Sequence, residues 1–101
     1  MELKEIRNFR LIDRNKAAAE VTFLVDGADC ETELIYYLQS DYCLSIRVGR
    51  KRTDLLSYEQ IEDYLHEHRV ELKKQIKPEV ERVRRESREA LLRQVENDGD
   101  F

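Results

Sequence analysis

Apolar residues alternate with polar ones in the first part of this chain and recur every three or four positions in the last part. The period changes near residue 57. Phe9 and Leu11 sit among Arg10 and Ile12 as a short strand, and Asp13-Arg14-Asn15-Lys16 reads as a four-residue turn. In residues 20–25, Val21, Phe23 and Val25 point one way and Glu20, Thr22 and Leu24 the other, which predicts a strand with one buried face.

Asp26-Gly27 follows this strand. Both residue types tolerate the positive φ of a two-residue hairpin turn. With that turn, counting places Phe23 opposite Cys30, Val21 opposite Thr32 and Val25 opposite Ala28. It also places Glu20 opposite Glu33 and Thr22 opposite Glu31, and like charges facing each other are unfavourable. A longer loop, 26–29, keeps the same faces and separates these pairs, so the pattern leaves two loops open.

Residues 33–39 have two readings as well. Leu34, Ile35, Tyr37 and Leu38 fit one helical turn or the end of a strand. From 42 to 48 the alternation is clean. Tyr42, Leu44, Ile46 and Val48 alternate with Cys43, Ser45 and Arg47, which predicts a strand with the first set buried, followed by a polar loop carrying Arg50-Lys51-Arg52.

Ser57 and Gln60 have the spacing of a capping box, in which each side chain satisfies the other's backbone N–H at a helix start. Glu59, Glu62 and Asp63 sit where the helix dipole favours acids. Ile61, Leu65, His68, Leu72 and Ile76 form one stripe, so residues 58–77 are predicted helix. Pro78 removes a helical hydrogen bond and clashes with the preceding turn. It predicts a break or sharp kink, with Pro78 as the first residue of a second helix, 79–96, that ends at Asn97 and Gly99. Val80, Val83, Ala90, Leu91 and Val95 carry the periodicity on. Together two such helices would span about 60 Å if collinear, more than a 57-residue head can cover. Either the second helix folds back on the first, or its narrow stripe meets another chain.

Composition changes this picture in a few respects. One hundred and one residues make one domain, a β-rich head (1–57) and a helical tail (58–97). Charged residues make up 40% of the chain, far above the roughly 25% of an average soluble domain. The net charge of −4 argues against a general nucleic-acid coat protein, although a local patch can overrule the sum. No apolar run approaches the ~20 residues of a membrane helix, and the first residues have no leader pattern. The expectation is a cytoplasmic protein with no membrane partner. Cys30 and Cys43 are then expected as two separate thiols.

Candidate chemistry is sparse. His66 and His68 are two apart on a helix and diverge, so they cannot share a metal ion. Cys43 is the only nameable nucleophile and lacks a nearby base in sequence. Glu81 with Arg85 and Glu89 with Arg93 fit ion pairs on solvated helix faces. Three glycines supply no phosphate loop. These features predict a non-enzymatic protein with no cofactor, no metal and no small-molecule substrate. Two basic groups remain. Arg47, Arg50, Lys51 and Arg52, flanked by Tyr42 and Tyr58, could hold phosphates beside a stacking ring. Arg82, Arg84, Arg85 and Arg88 are partly neutralised by Glu81 and Glu89.

Val21-Thr22-Phe23-Leu24-Val25-Asp26-Gly27, then Cys30, the apolar segment 34–38 and Tyr64-Leu65-His66-Glu67-His68-Arg69 form a series. It resembles a family of short bacterial proteins of unknown function, in which a strand, a Gly and a Cys precede a short helix and an aromatic-rich helix ending in a basic motif. The resemblance covers under half of the chain, and the strand at 42–48 and the tail after Pro78 depart from it. It implies a small α+β fold and no activity.

The sequence therefore predicts an α+β protein. An antiparallel sheet of three or four strands is followed by helices broken or kinked at Pro78. Its expected role is protein–protein interaction, as an adaptor, inhibitor or regulator that dimerises through Val80, Val83, Ala90, Leu91 and Val95. The alternative is a nucleic-acid-binding accessory protein using Arg47, Arg50, Lys51 and Arg52.

Overall fold

A computed structural model describes residues 1–98, with side chains described through Arg93. Four strands, β1 (Glu2–Asp13), β2 (Lys16–Val25), β3 (Ala28–Gln39) and β4 (Tyr42–Lys51), form one antiparallel sheet in the order β1-β2-β3-β4. Two helices follow, α1 (Tyr58–Glu67) and α2 (Arg69–Asp98), and cover one face. The fold is α+β, with its apolar residues in one cluster between sheet and helices.

All three hairpins turn in two residues. At the second, Asp26 (φ 49°) and Gly27 (φ 80°) both take the left-handed region such a turn requires. The register across it pairs Phe23 with Cys30, Val21 with Thr32 and Val25 with Ala28, so the shorter loop is the one formed. Glu20 does face Glu33, and Thr22 faces Glu31. The cost is offset from β1. Arg10 reaches Glu20 at 3.9 Å and Glu33 at 3.4 Å, while Arg7 pairs with Glu31 at 3.2 Å and donates to the Thr22 hydroxyl at 2.6 Å. This outer face is an array of opposite charges open to water, as one face of an antiparallel sheet can be.

β1 is much longer than the expected strand around Phe9. Three register shifts interrupt its pairing with β2, between Leu3 and Glu5, Arg7 and Arg10, and Leu11 and Asp13. Asn8, at the second, has φ 53°. The residues of β1 that meet the core are Leu3, Ile6, Phe9 and Leu11, at spacings of three, three and two, so no single period marks the strand. Residues 33–39 are strand, which excludes their helical reading. Leu34, Tyr36 and Leu38 face the core. Phe9 and Tyr36 meet edge to face, centroids 5.1 Å apart, from the two strands that flank β2. The buried alanines of β2, Ala17 and Ala19, leave room for the rings to meet.

In β4 the expected inward set is only half correct. Tyr37 pairs with Ser45 and Leu38 with Cys43, so Leu44 is an extra residue, a bulge. The bulge shifts the phase. Ile46 and Val48 still face the core, but Tyr42 and Leu44 are exposed and Cys43 takes the inward position.

The capping box at α1 is formed. The Gln60 N–H donates to Ser57 Oγ at 3.1 Å, and the Ser57 N–H donates to Gln60 Oε1 at 2.8 Å. Ile61, Leu65, Leu72 and Ile76 are buried as the stripe requires, while His68 is half-exposed and stacks on Tyr64. The helix does not break at Pro78. α2 runs through it from Arg69 to Asp98, and the one interruption lies at His68 (φ −104°, ψ 15°). The second helix therefore does not fold back on the first. Pro78 points away from the sheet, and Val80 and Val83 on its far side are core residues with 0% and 7% exposure. Burying such side chains stabilises by about 1.5–3 kcal/mol each. Together they outweigh the ~3 kcal/mol cost of a proline in a helix interior. The expected stop at Gly99 lies outside the described residues. Among them no helix is long and apolar enough to cross a membrane.

Candidate functional site

The expected interface residues separate into two groups. Val80 and Val83 pack on the protein's own sheet, so they are not free to meet a partner. Ala90 and Leu91 are exposed, Leu91 at 59%, and the side chain of Val95 lies outside the described residues. Leu92, which the periodicity passes over, is 63% exposed.

The division falls where α2 leaves the sheet. Arg84 donates from Nε to the Ser40 carbonyl at 3.0 Å and from Nη1 to the Arg14 carbonyl at 2.6 Å, tying the helix to the turns at one end of the sheet. On the other side of the helix, Arg82 donates to the Phe9 carbonyl at 3.2 Å and pairs with Glu79 and Glu86. These two arginines clamp the helix from both flanks. Nothing in the sequence separates them from neighbouring Arg85 and Arg88, because their targets are backbone carbonyls of distant turns. The helical ion pairs thus centre on Arg82, not on the expected Glu81 with Arg85 and Glu89 with Arg93. Beyond Arg84 the helix continues to Asp98, about 21 Å at 1.5 Å per residue.

The basic loop group is also divided. Arg47 Nε donates to both oxygens of Glu62, at 3.2 and 3.0 Å, and Glu62 Oε1 accepts from the Val48 N–H at 3.2 Å. The ammonium of Lys51 lies 5.4 Å from the Tyr58 ring centre. Arg50 and Arg52 are exposed and pair with no carboxylate among the described residues. Tyr58 flanks this group, but Tyr42 does not. It begins β4, about 26 Å from Arg50 at the strand rise of about 3.3 Å.

Both sheet edges are blunted against strand addition. Glu62 covers the outward N–H of Val48, bulges disrupt β4 near Leu44 and Gly49, and β1 carries its three register shifts.

Between β4 and the helices runs a groove. One part, about 400 Å3, is lined by Leu44, Ile46, Arg47, Glu62, Arg69 and Lys73 among others. A second part, about 220 Å3, shares Lys73 and adds Tyr42, Cys43, Lys74 and Lys77.

Cys30 and Cys43 are both unpaired, Cys30 fully buried and Cys43 half-buried. Burial pushes the Cys43 thiol up to about 11, with nearby Lys73 and the Ser45 backbone pulling the other way by a smaller amount. Neither histidine contacts it within hydrogen-bonding distance, so at neutral pH it is a protonated thiol and a poor nucleophile. The unfolded thiol ionises first as pH rises, so its contribution to stability is present below pH ~9 and is lost toward pH 11. Iodoacetamide should modify Cys43 slowly at pH 8, with a rate still climbing between pH 9 and about 11. Intact mass after timed quenching reads this, and a rate that levels off below pH 8 would mean an activated thiolate. Among the described residues no three His, Cys, Asp or Glu side chains are grouped to hold a metal ion.

No family model, no curated protein and no solved structure matches this chain.

Proposed function

We propose that this protein is a non-enzymatic interaction module that self-associates through the part of α2 beyond Arg84. The observation that carries the reading is a long helix that leaves its sheet and then exposes Leu91 and Leu92. A helix of about 14 residues is marginal in water without a packed face. A second copy bearing the same apolar positions supplies one. The blunted sheet edges support the helix over strand pairing as the contact. Two reduced thiols suit a reducing compartment, so a cytoplasmic location is part of the proposal.

Sedimentation velocity of the full chain tests it. The expected species has twice the 12.1 kDa chain mass at micromolar concentration. Leu91→Glu should return it to a monomer that keeps its sheet and core, because Leu91 has no place in the core, and loses helical signal only from the end of α2. A monomer at every concentration, or a dimer indifferent to Leu91→Glu, would overturn the proposal.

A further inference from the structure

We infer that the groove between β4 and α2 binds single-stranded nucleic acid, with phosphates along the helix wall and bases against the strand wall. The inference is independent of self-association. It also differs from the basic-loop reading, because the cations concerned are Arg69, Lys73 and Lys77.

These three residues lie four apart on α2, on the flank that faces β4, so they follow one another about every 6 Å along the helix axis. Arg84 and Arg88 continue the same side. Several cations of the surface are paired, although, among the described residues, Arg50 and Arg52 are not. Lys4, Arg7, Arg10, Arg47 and Arg82 all hold carboxylates. On this flank none does. Arg69 donates only to the His66 carbonyl at 2.7 Å, and Lys73 and Lys77 form no ion pair among the described residues. Of the carboxylates that line the groove, Glu62 is taken by Arg47, and Asp41 and Asp63 form no ion pair with these cations among the described residues. An acidic chain thus keeps a row of unspent positive charge along a concave track.

The opposite wall has a different chemistry. Tyr42 is 70% exposed at one end, and Leu44 is turned out beside it by the bulge. A cationic row facing an exposed ring and an aliphatic side chain matches a strand whose backbone is anionic and whose bases present flat apolar faces. An acidic peptide would use the cations and leave the ring idle. A duplex keeps its bases stacked inside and could engage only one wall.

Fluorescence anisotropy with labelled oligothymidylate of about 15 nucleotides tests the inference on the full chain. Binding at low salt is expected, with a log–log salt slope near −2 for three phosphate contacts at about 0.7 each. Lys73→Ala with Lys77→Ala should weaken binding about tenfold and flatten the slope to about −0.7. Tyr42→Ala should weaken it roughly tenfold at constant slope. All three residues are exposed or half-exposed, so the variants keep their fold, which circular dichroism verifies. No binding by the wild type would overturn the inference. So would equal displacement by polyglutamate, equal affinity for a duplex, or loss through Arg50→Ala with Arg52→Ala while the lysine variant binds normally.

Discussion

Val80→Asp is expected to abolish the fold. Val80 has 0% exposure and packs in the cluster between α2 and the sheet. A carboxylate there would be buried without a partner or would have to take up a proton, and either course costs several kcal/mol. Domains of this size hold only about 5–15 kcal/mol in total. Far-UV circular dichroism should lose its cooperative thermal transition, or show it lowered by tens of degrees. Val80→Ala provides a graded control. It removes two carbons and leaves a cavity, for a loss of about 2 kcal/mol in a urea titration. Leu91→Glu, three turns along the same helix, should leave the transition where it is. If Val80→Asp instead folded with an unchanged urea midpoint and altered only the solution mass, Val80 would face a partner and not the sheet.

That contrast shows what helical periodicity can and cannot convey. Val80, Val83 and Leu91 fit one pattern, and the pattern says only that something covers them. Whether the cover is the protein's own sheet depends on how far the sheet extends, which is set by strand lengths. Those lengths were legible where turns and alternation agreed. Asp26-Gly27 and the residues around it specify the faces of β2 and β3, while the facing Glu20 and Glu33 leave the register open between two loops until Arg10 is seen to reach both. They were not legible in β1, where three irregularities dissolve the period and leave only a short strand around Phe9 to be expected. A shorter first strand leaves more helix uncovered, and Val80 and Val83 then look like a seam. Residues 33–39 resisted for another reason. Ile35 and Tyr37 on the outer face are apolar too, so neither period stands out. In β4 a single inserted residue, Leu44, reversed the expected faces of two side chains and turned them toward the groove. The candidate site was legible least of all. The cations of α2 look uniform in sequence, and only packing divides them into Arg82 and Arg84, which grip carbonyls of the sheet and its turns, and Arg69, Lys73 and Lys77, which do not reach them.

Pro78→Ala should stabilise the protein by about 2 kcal/mol. In a helix interior proline costs about 3 kcal/mol relative to alanine, because the carbonyl four residues earlier, that of Lys74, loses its donor. Pro78 is exposed, so alanine forfeits no packing. Against this gain, proline restricts the unfolded chain, an effect worth about 0.4–1 kcal/mol in its favour. The net gain corresponds to a rise in Tm of roughly 10 °C for a domain of this size, read by calorimetry and by the urea midpoint. The sign decides between two placements of the same residue. If the helix ended before Pro78 and restarted there, proline would occupy the first helical position, where its missing N–H costs nothing and its fixed φ is favourable. Alanine would then be neutral or destabilising. A gain instead means that the helix is continuous through 78, held together by Leu72 and Ile76 on one side of the proline and Val80 and Val83 on the other. The same continuity carries Leu91 out past the sheet and sets Arg69, Lys73 and Lys77 in one line.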